Sequence, residues 1–378
     1  LQYAGKQGMM ADERWTIGRD FPIVHRSFLP LDIPRDLRMR ILLVLFSCLV
    51  AELGVPWNFF DSGTKARLRG VSAVSREIAW ASGSQGTVIK TTDAGQTWTK
   101  LVVPDSDKLD FRDIQAFDDR MAYVLSIGPG ELSRIYKTVD GGLNWTLHHT
   151  NRDSKGFLDA IAFWDADHGL ALGDPVDGHY VILATDDGGK TWSKVPDAGM
   201  PAALPGEGAF AASGTCLVVQ GESNAWFGTG GGARARVFRS TDRGRTWAVA
   251  DTPIRAGNPS SGVFGLAFKD ARNGLAVGGD YKEEKDPAGN IAATSDGGKT
   301  WKPIPGTPPA GFRSAVAFAP GREGQAVVAV GPSDSDVSRD GGMTWETLET
   351  PGFHAIGFGG TSGSGWAVGE KGLIGRHR

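Results

Sequence analysis

The stretch TSDGGKTW, residues 294–301, decides the fold, because the chain carries five more versions of it. They are TTDAGQTW (91–98), TVDGGLNW (138–145), TDDGGKTW (185–192), STDRGRTW (240–247) and SRDGGMTW (338–345). Their aspartates, Asp93, Asp140, Asp187, Asp242, Asp296 and Asp340, recur every 44 to 55 residues. Such a period, filled with short apolar runs, predicts a β-propeller with one four-stranded blade per repeat. The third repeat shows the pattern most clearly: FLDAIAFWD, HGLALGD, HYVILATDD and TWSKVP follow one another, broken by Gly and Asp.

Each box then falls between the third and fourth strands. Its Asp can accept backbone N–H groups of the turn, and its Gly can take a positive φ without steric cost. The closing tryptophans, Trp98, Trp145, Trp192, Trp247, Trp301 and Trp345, begin the outer strand with a large apolar surface.

Six boxes do not exhaust the chain. FHAIGFGG, GWAVGE and GLIGRHR at the C-terminus make three more strands without a box. Residues 56–61 parallel the segment that begins at Trp98, with Trp57 in its place, and are expected to complete the last blade. Such closure leaves no free sheet edge. The expectation is an all-β chain: a seven-bladed β-propeller of four-stranded antiparallel blades over residues 56–378, closed by the N-terminal strand. A monomer is expected.

Upstream, Arg38 and Arg40 flank an apolar run from Ile41 to Val50. It resembles a short secretory signal peptide over 39–51, with residues 1–38 as an upstream segment outside the fold. The run falls well short of the ~20 residues of a spanning helix, so no stable membrane span is expected. LFSC (45–48) also resembles a lipoprotein cleavage box, which would anchor the chain at Cys48. Both readings predict an exported, periplasmic or extracellular protein, against the plainer alternative of a buried core helix, and cleavage near Ala51 would leave Cys216 as its one cysteine. With net charge −3 and no basic stripe, a nucleic-acid partner is not expected.

The boxes fit S/T-x-D-x-G-x-T-W and resemble the Asp-box or BNR repeat found in sialidases, two-propeller xyloglucanases and sortilin-type receptors. The pattern LRGVSAVS…AWASGSQGTVIKTTDAGQTW most resembles the photosystem II stability/assembly factor-like group. That resemblance implies a seven-bladed propeller that binds protein partners. The Arg-Ile-Pro signature of sialidases is absent before the first box.

Strand alternation places the boxes on one face. The long connections 196–213, 250–262 and 278–290 fall on the opposite face, which suggests a binding surface there. That face also receives the first residues of each inner strand: Arg69, Arg112, Asp159, Arg313 and His354, with Asp113 next to Arg112. Loops add Asp174, Asp177 and Glu207. The arginines can hold carboxylates of a protein or glycan partner by bidentate hydrogen bonds. They can equally pair with the neighbouring carboxylates as structural ion pairs, and both readings stand. For a glycoside hydrolase, Asp159, Asp174 and Glu207 could supply the required carboxyl pair.

Other motifs carry little. GTGGGA (228–233) matches a dinucleotide fingerprint but precedes a strand-like run instead of a helix. No His or Cys cluster has zinc-site spacing, Asp186 and Asp187 lack EF-hand spacing, and no cofactor is expected. KEEKD (282–286) reads as a solvated loop, and Cys216 as a packed residue.

Overall fold

The computed structural model describes residues 57–321, 325–359 and 364–377. The expected upstream segment (1–38) and signal peptide (39–51), including Cys48, lie outside the described residues.

Seven antiparallel sheets follow one another, and the inner strands of successive sheets are neighbours, the seventh with the first. Their inner strands are Leu68–Ala73, Asp110–Ala116, Leu158–Phe163, Leu217–Gln220, Ser261–Phe268, Ala315–Phe318 and Phe353–Phe358. The arrangement is a seven-bladed β-propeller. In the last blade Trp57–Phe60 is the outer strand, antiparallel to Ile374–His377, with Trp57 opposite His377 and Phe60 opposite Ile374. The first and last described strands thus share one sheet.

Blade 5 departs from the four-stranded expectation. Its outer strand shrinks to a bridge between Ala293 and Lys302. The next residues are Pro303, Ile304 and Pro305, and proline has no N–H to extend the ladder.

Seven apolar clusters hold the ring, one at each interface between successive blades. The box turns reinforce them. In the fifth box, Asp296 Oδ1 accepts the Thr300 N–H at 3.0 Å and Oδ2 accepts the Thr300 hydroxyl at 2.7 Å. Thr294 Oγ1 donates to Asp296 at 2.9 Å and accepts the Gly298 N–H at 2.9 Å. The same pattern recurs in the first box, around Asp93. Gly298 has φ +82°, and a Cβ there would lie 3.1 Å from Trp226 Nε1 of the preceding blade. That indole donates to the Gly297 carbonyl at 2.9 Å. The box therefore closes its own turn and also clamps its blade to the previous one.

Candidate functional site

Five inner strands share one irregularity. The register of each slips at its start, between Leu68 and Gly70, Phe111 and Asp113, Leu158 and Ala160, Val263 and Gly265, and Phe353 and Ala355. The unpaired residues are Arg69, Arg112, Asp159, Phe264 and His354. A β-bulge re-aims the side chain it carries. All five line one cavity of about 610 Å³. They mark the ends of inner strands where the chain enters from the previous blade, so the cavity lies on the face opposite the box turns.

The connection between blades 3 and 4 runs across this cavity. Gly208 pairs with Gly230, and Ala209 donates its N–H to Asp174 Oδ1 at 2.9 Å. The Ala211 carbonyl accepts Arg112 at 2.9 Å, and the Ala212 carbonyl accepts Arg69 at 3.4 Å. Ser213 Oγ donates to the Ser314 carbonyl at 2.9 Å. Residues 208–213 thus strap blade 4 to blades 1, 2, 3 and 6. Phe210 stacks on Phe264 with centroids 3.8 Å apart, and Phe264 meets Phe312 edge-on at 4.7 Å. These rings form an aromatic wall with Tyr281.

The opposite wall is polar. Arg112 pairs with Asp110 at 2.8 Å. Arg69 has no carboxylate partner among the described residues, and its buried Nε makes no hydrogen bond. Burial and the neighbouring Arg112 push its pKa down to about 10, so it stays charged at neutral pH. His354 Nε2 lies 2.9 Å from Glu370. Burial, followed by Arg69, brings its pKa down to about 4, so at neutral pH the contact joins a neutral imidazole to a carboxylate.

Three expected members of the site are elsewhere. Arg313 is 1% exposed; its Nε pairs with Asp336, and its Nη1 donates to the Ser333 carbonyl at 3.0 Å. Glu207 is buried against Arg236, whose Nε donates to it at 2.8 Å, and also accepts the Leu204 N–H at 2.8 Å. Its acceptor capacity is spent inside blade 4. Asp177 is exposed at a turn tip, 3.1 Å from Lys155. Asp113 also faces inward: it is buried, accepts the Ile161 N–H at 2.8 Å, and burial raises its pKa to about 7.

Phe264 escaped the sequence reading, although a signal exists. LRGV, FRDI, LDAI, VFGL and FHAI all place apolar residues three apart, which breaks the two-residue period of a strand. Among the described residues no group of His, Cys, Asp or Glu has the arrangement of a metal site.

Comparison with known proteins agrees with this architecture. No family model matches the chain. In structure, it superposes on YCF48 bound to D1 peptide with a TM-score of 0.61 and 20% identity, covering 85% of this chain and 96% of that one. The fold is that of the Ycf48 proteins. YCF48 from Cyanidioschyzon merolae gives the same TM-score at 16% identity, over 85% of this chain and 98% of that one. The xyloglucanase of family GH74 from Xanthomonas campestris gives 0.58 at 19% identity, over 85% of this chain and 54% of that one.

In sequence, the chain is 23% identical to the photosystem II assembly lipoprotein Ycf48 of Synechococcus sp. (strain CC9902) over 318 residues, 73% of this chain and 89% of the relative. It is 23% identical over 248 residues, 58% of this chain, to the xyloglucanase Xgh74A of Acetivibrio thermocellus. The chain spans only 29% of that enzyme's length.

Proposed function

We propose that this propeller is an exported, non-catalytic binding module. It captures a segment of a partner protein in the cavity opposite the box turns. Acidic groups of that segment meet Arg69 and Arg112. The observation that carries this reading is Arg69, a charged guanidinium on the cavity wall with no carboxylate of its own and an unbonded Nε. A guanidinium presents a planar set of donors suited to carboxylates. The structural relative bound to D1 peptide supports a protein partner, and the relative named as a lipoprotein supports export. Among the described residues no helix is long and apolar enough to cross a membrane.

Fluorescence anisotropy with labelled Glu-rich and Lys-rich peptides tests the reading. The Glu-rich peptide is expected to bind more tightly, and Arg69→Glu to weaken it by more than about tenfold. Equal binding by Arg69→Glu and the parent chain refutes it.

A second reading, glycoside hydrolysis, is favoured by one observation: Asp159 and Asp174 both line the cavity. Glu207 drops out of that role because Arg236 holds it. Turnover of xyloglucan that disappears in Asp174→Asn would establish hydrolysis, and absence of product from the parent chain would reject it.

A further inference from the structure

The cavity lining also includes two aspartate side chains. Asp159, on the inner strand of blade 3, and Asp174, on the next strand (Gly169–Val176), both line it. Asp159 is 1% exposed, and its Oδ2 has no hydrogen-bond partner. A buried polar atom left unpaired is costly, and the cavity's cations do not relieve it. Arg112 is turned to Asp110, and the acidic groups that act on Arg69 are Glu370 and Asp110. Burial, then Asp174, holds Asp159 protonated well above the usual carboxylate range, and burial also raises Asp174. The other titratable groups beside the pair are Asp113, the Cys216 thiol and the Tyr180 hydroxyl, none of which brings positive charge.

An aromatic surface adjoins these carboxyls. Ala209, which donates to Asp174, immediately precedes Phe210, and Phe210 stacks on Phe264. The face of an aromatic ring attracts a cation, and a partly enclosed carboxylate binds one by charge-assisted hydrogen bonds.

We propose that Asp159 and Asp174, with the Phe210 and Phe264 rings, form a cation-accepting subsite for a lysine or arginine side chain. The identity of the cation's carrier rests on the partner-segment reading above; the subsite itself does not. With the subsite filled, the docked segment would carry both signs of charge, acidic groups on Arg69 and a basic group on Asp159. The entering cation ionises the Asp159 carboxyl, and its proton leaves to solvent.

Three probes of one shape test this by calorimetry on the full chain: benzamidine, benzamide and benzoate. Benzamidine is expected to bind at least about tenfold more tightly than benzamide. Its binding should release protons, read from heats in two buffers of different ionisation enthalpy. Asp159→Asn and Asp174→Asn should each bring benzamidine close to benzamide. Equal affinities in the parent chain, a preference for benzoate alone, or a benzamidine preference kept by both variants overturns the proposal. If Asp159→Asn fails to fold, Asp174→Asn decides alone. A chain that binds benzamidine but no acidic peptide loses the partner reading alone. One that binds the peptide without preferring benzamidine loses only the subsite.

Discussion

Trp57 and His377 face each other across the pairing of the first and last described strands, their rings 5.3 Å apart and nearly perpendicular. Trp57 is 3% exposed and also packs on Phe353 at 4.8 Å. Closing the ring with a strand from far away in sequence makes the last blade depend on this contact. Trp57→Ala should cost about 3–5 kcal/mol, the usual penalty for emptying a buried aromatic site. Urea denaturation measures it, and exchange protection of Ile374–His377 should fall together with the global stability.

The box glycines should tolerate no side chain. Gly95 has φ +88°, and a Cβ there would come within 2.7 Å of Trp366, which is fully buried. Gly95→Ala combines left-handed strain of about 1–2 kcal/mol with overpacking of about 1–3 kcal/mol. A denaturation midpoint close to that of the parent chain would contradict the clamp described for these turns.

Arg313 and Arg69 should separate stability from binding. Among the described residues, Arg313→Ala leaves the buried Asp336 with only the Ala310 N–H and the Thr347 hydroxyl as donors. Breaking a buried pair in this way costs about 3–5 kcal/mol. Arg69→Ala removes a cation that has no carboxylate partner among the described residues, so its melting temperature should stay within a few degrees of the parent value. Thermal melts of the two variants side by side give the comparison.

Two sets of carboxyls should act on stability with opposite signs. Hydrogen bonds hold Asp140 and Asp187 down to about 2, first the N–H groups of Asn144 and Thr191. Their folded values lie below the unfolded value near 4, so their contribution is present above that pH and is lost toward pH 2. Asp113 goes the other way. Burial lifts it to about 7, so its contribution is complete below about pH 4 and is lost as pH rises through 7. His354, brought down to about 4 by burial, adds stability that is lost as pH falls from about 6.5 toward 4. Relative to the parent chain, Asp113→Asn should therefore gain stability between pH 5 and pH 8, which urea midpoints at the two values will show.

The ring and its closure were legible because they repeat. Six Trp-terminated turns of one composition need one geometry, and Trp57 without a box could only belong to an outer strand. The outer strand of blade 5 was not legible from its Trp alone, because Pro303 and Pro305 decide how far the ladder runs. Arg69, Arg112, Asp159 and His354 meet as their place at inner-strand starts suggested. Arg313 follows the same local pattern in FRSAV, yet strand pairing begins only at Ala315, and Asp336 draws the guanidinium inward. Glu207 is drawn away from the cavity for a similar reason: Arg236, from the third strand of its own blade, is distant in sequence but adjacent in space. The crossing strap at 208–213 was visible as a long connection, but nothing in its composition revealed that its carbonyls meet Arg69 and Arg112.

Hydrogen–deuterium exchange with a saturating Glu-rich peptide locates the docking surface on the propeller. Added protection is expected at residues 209–214 and at the starts of the inner strands that carry Arg69 and Arg112, with the box turns unchanged. Protection confined to the turns at 138–145 or 294–301, with none at 209–214, would contradict it.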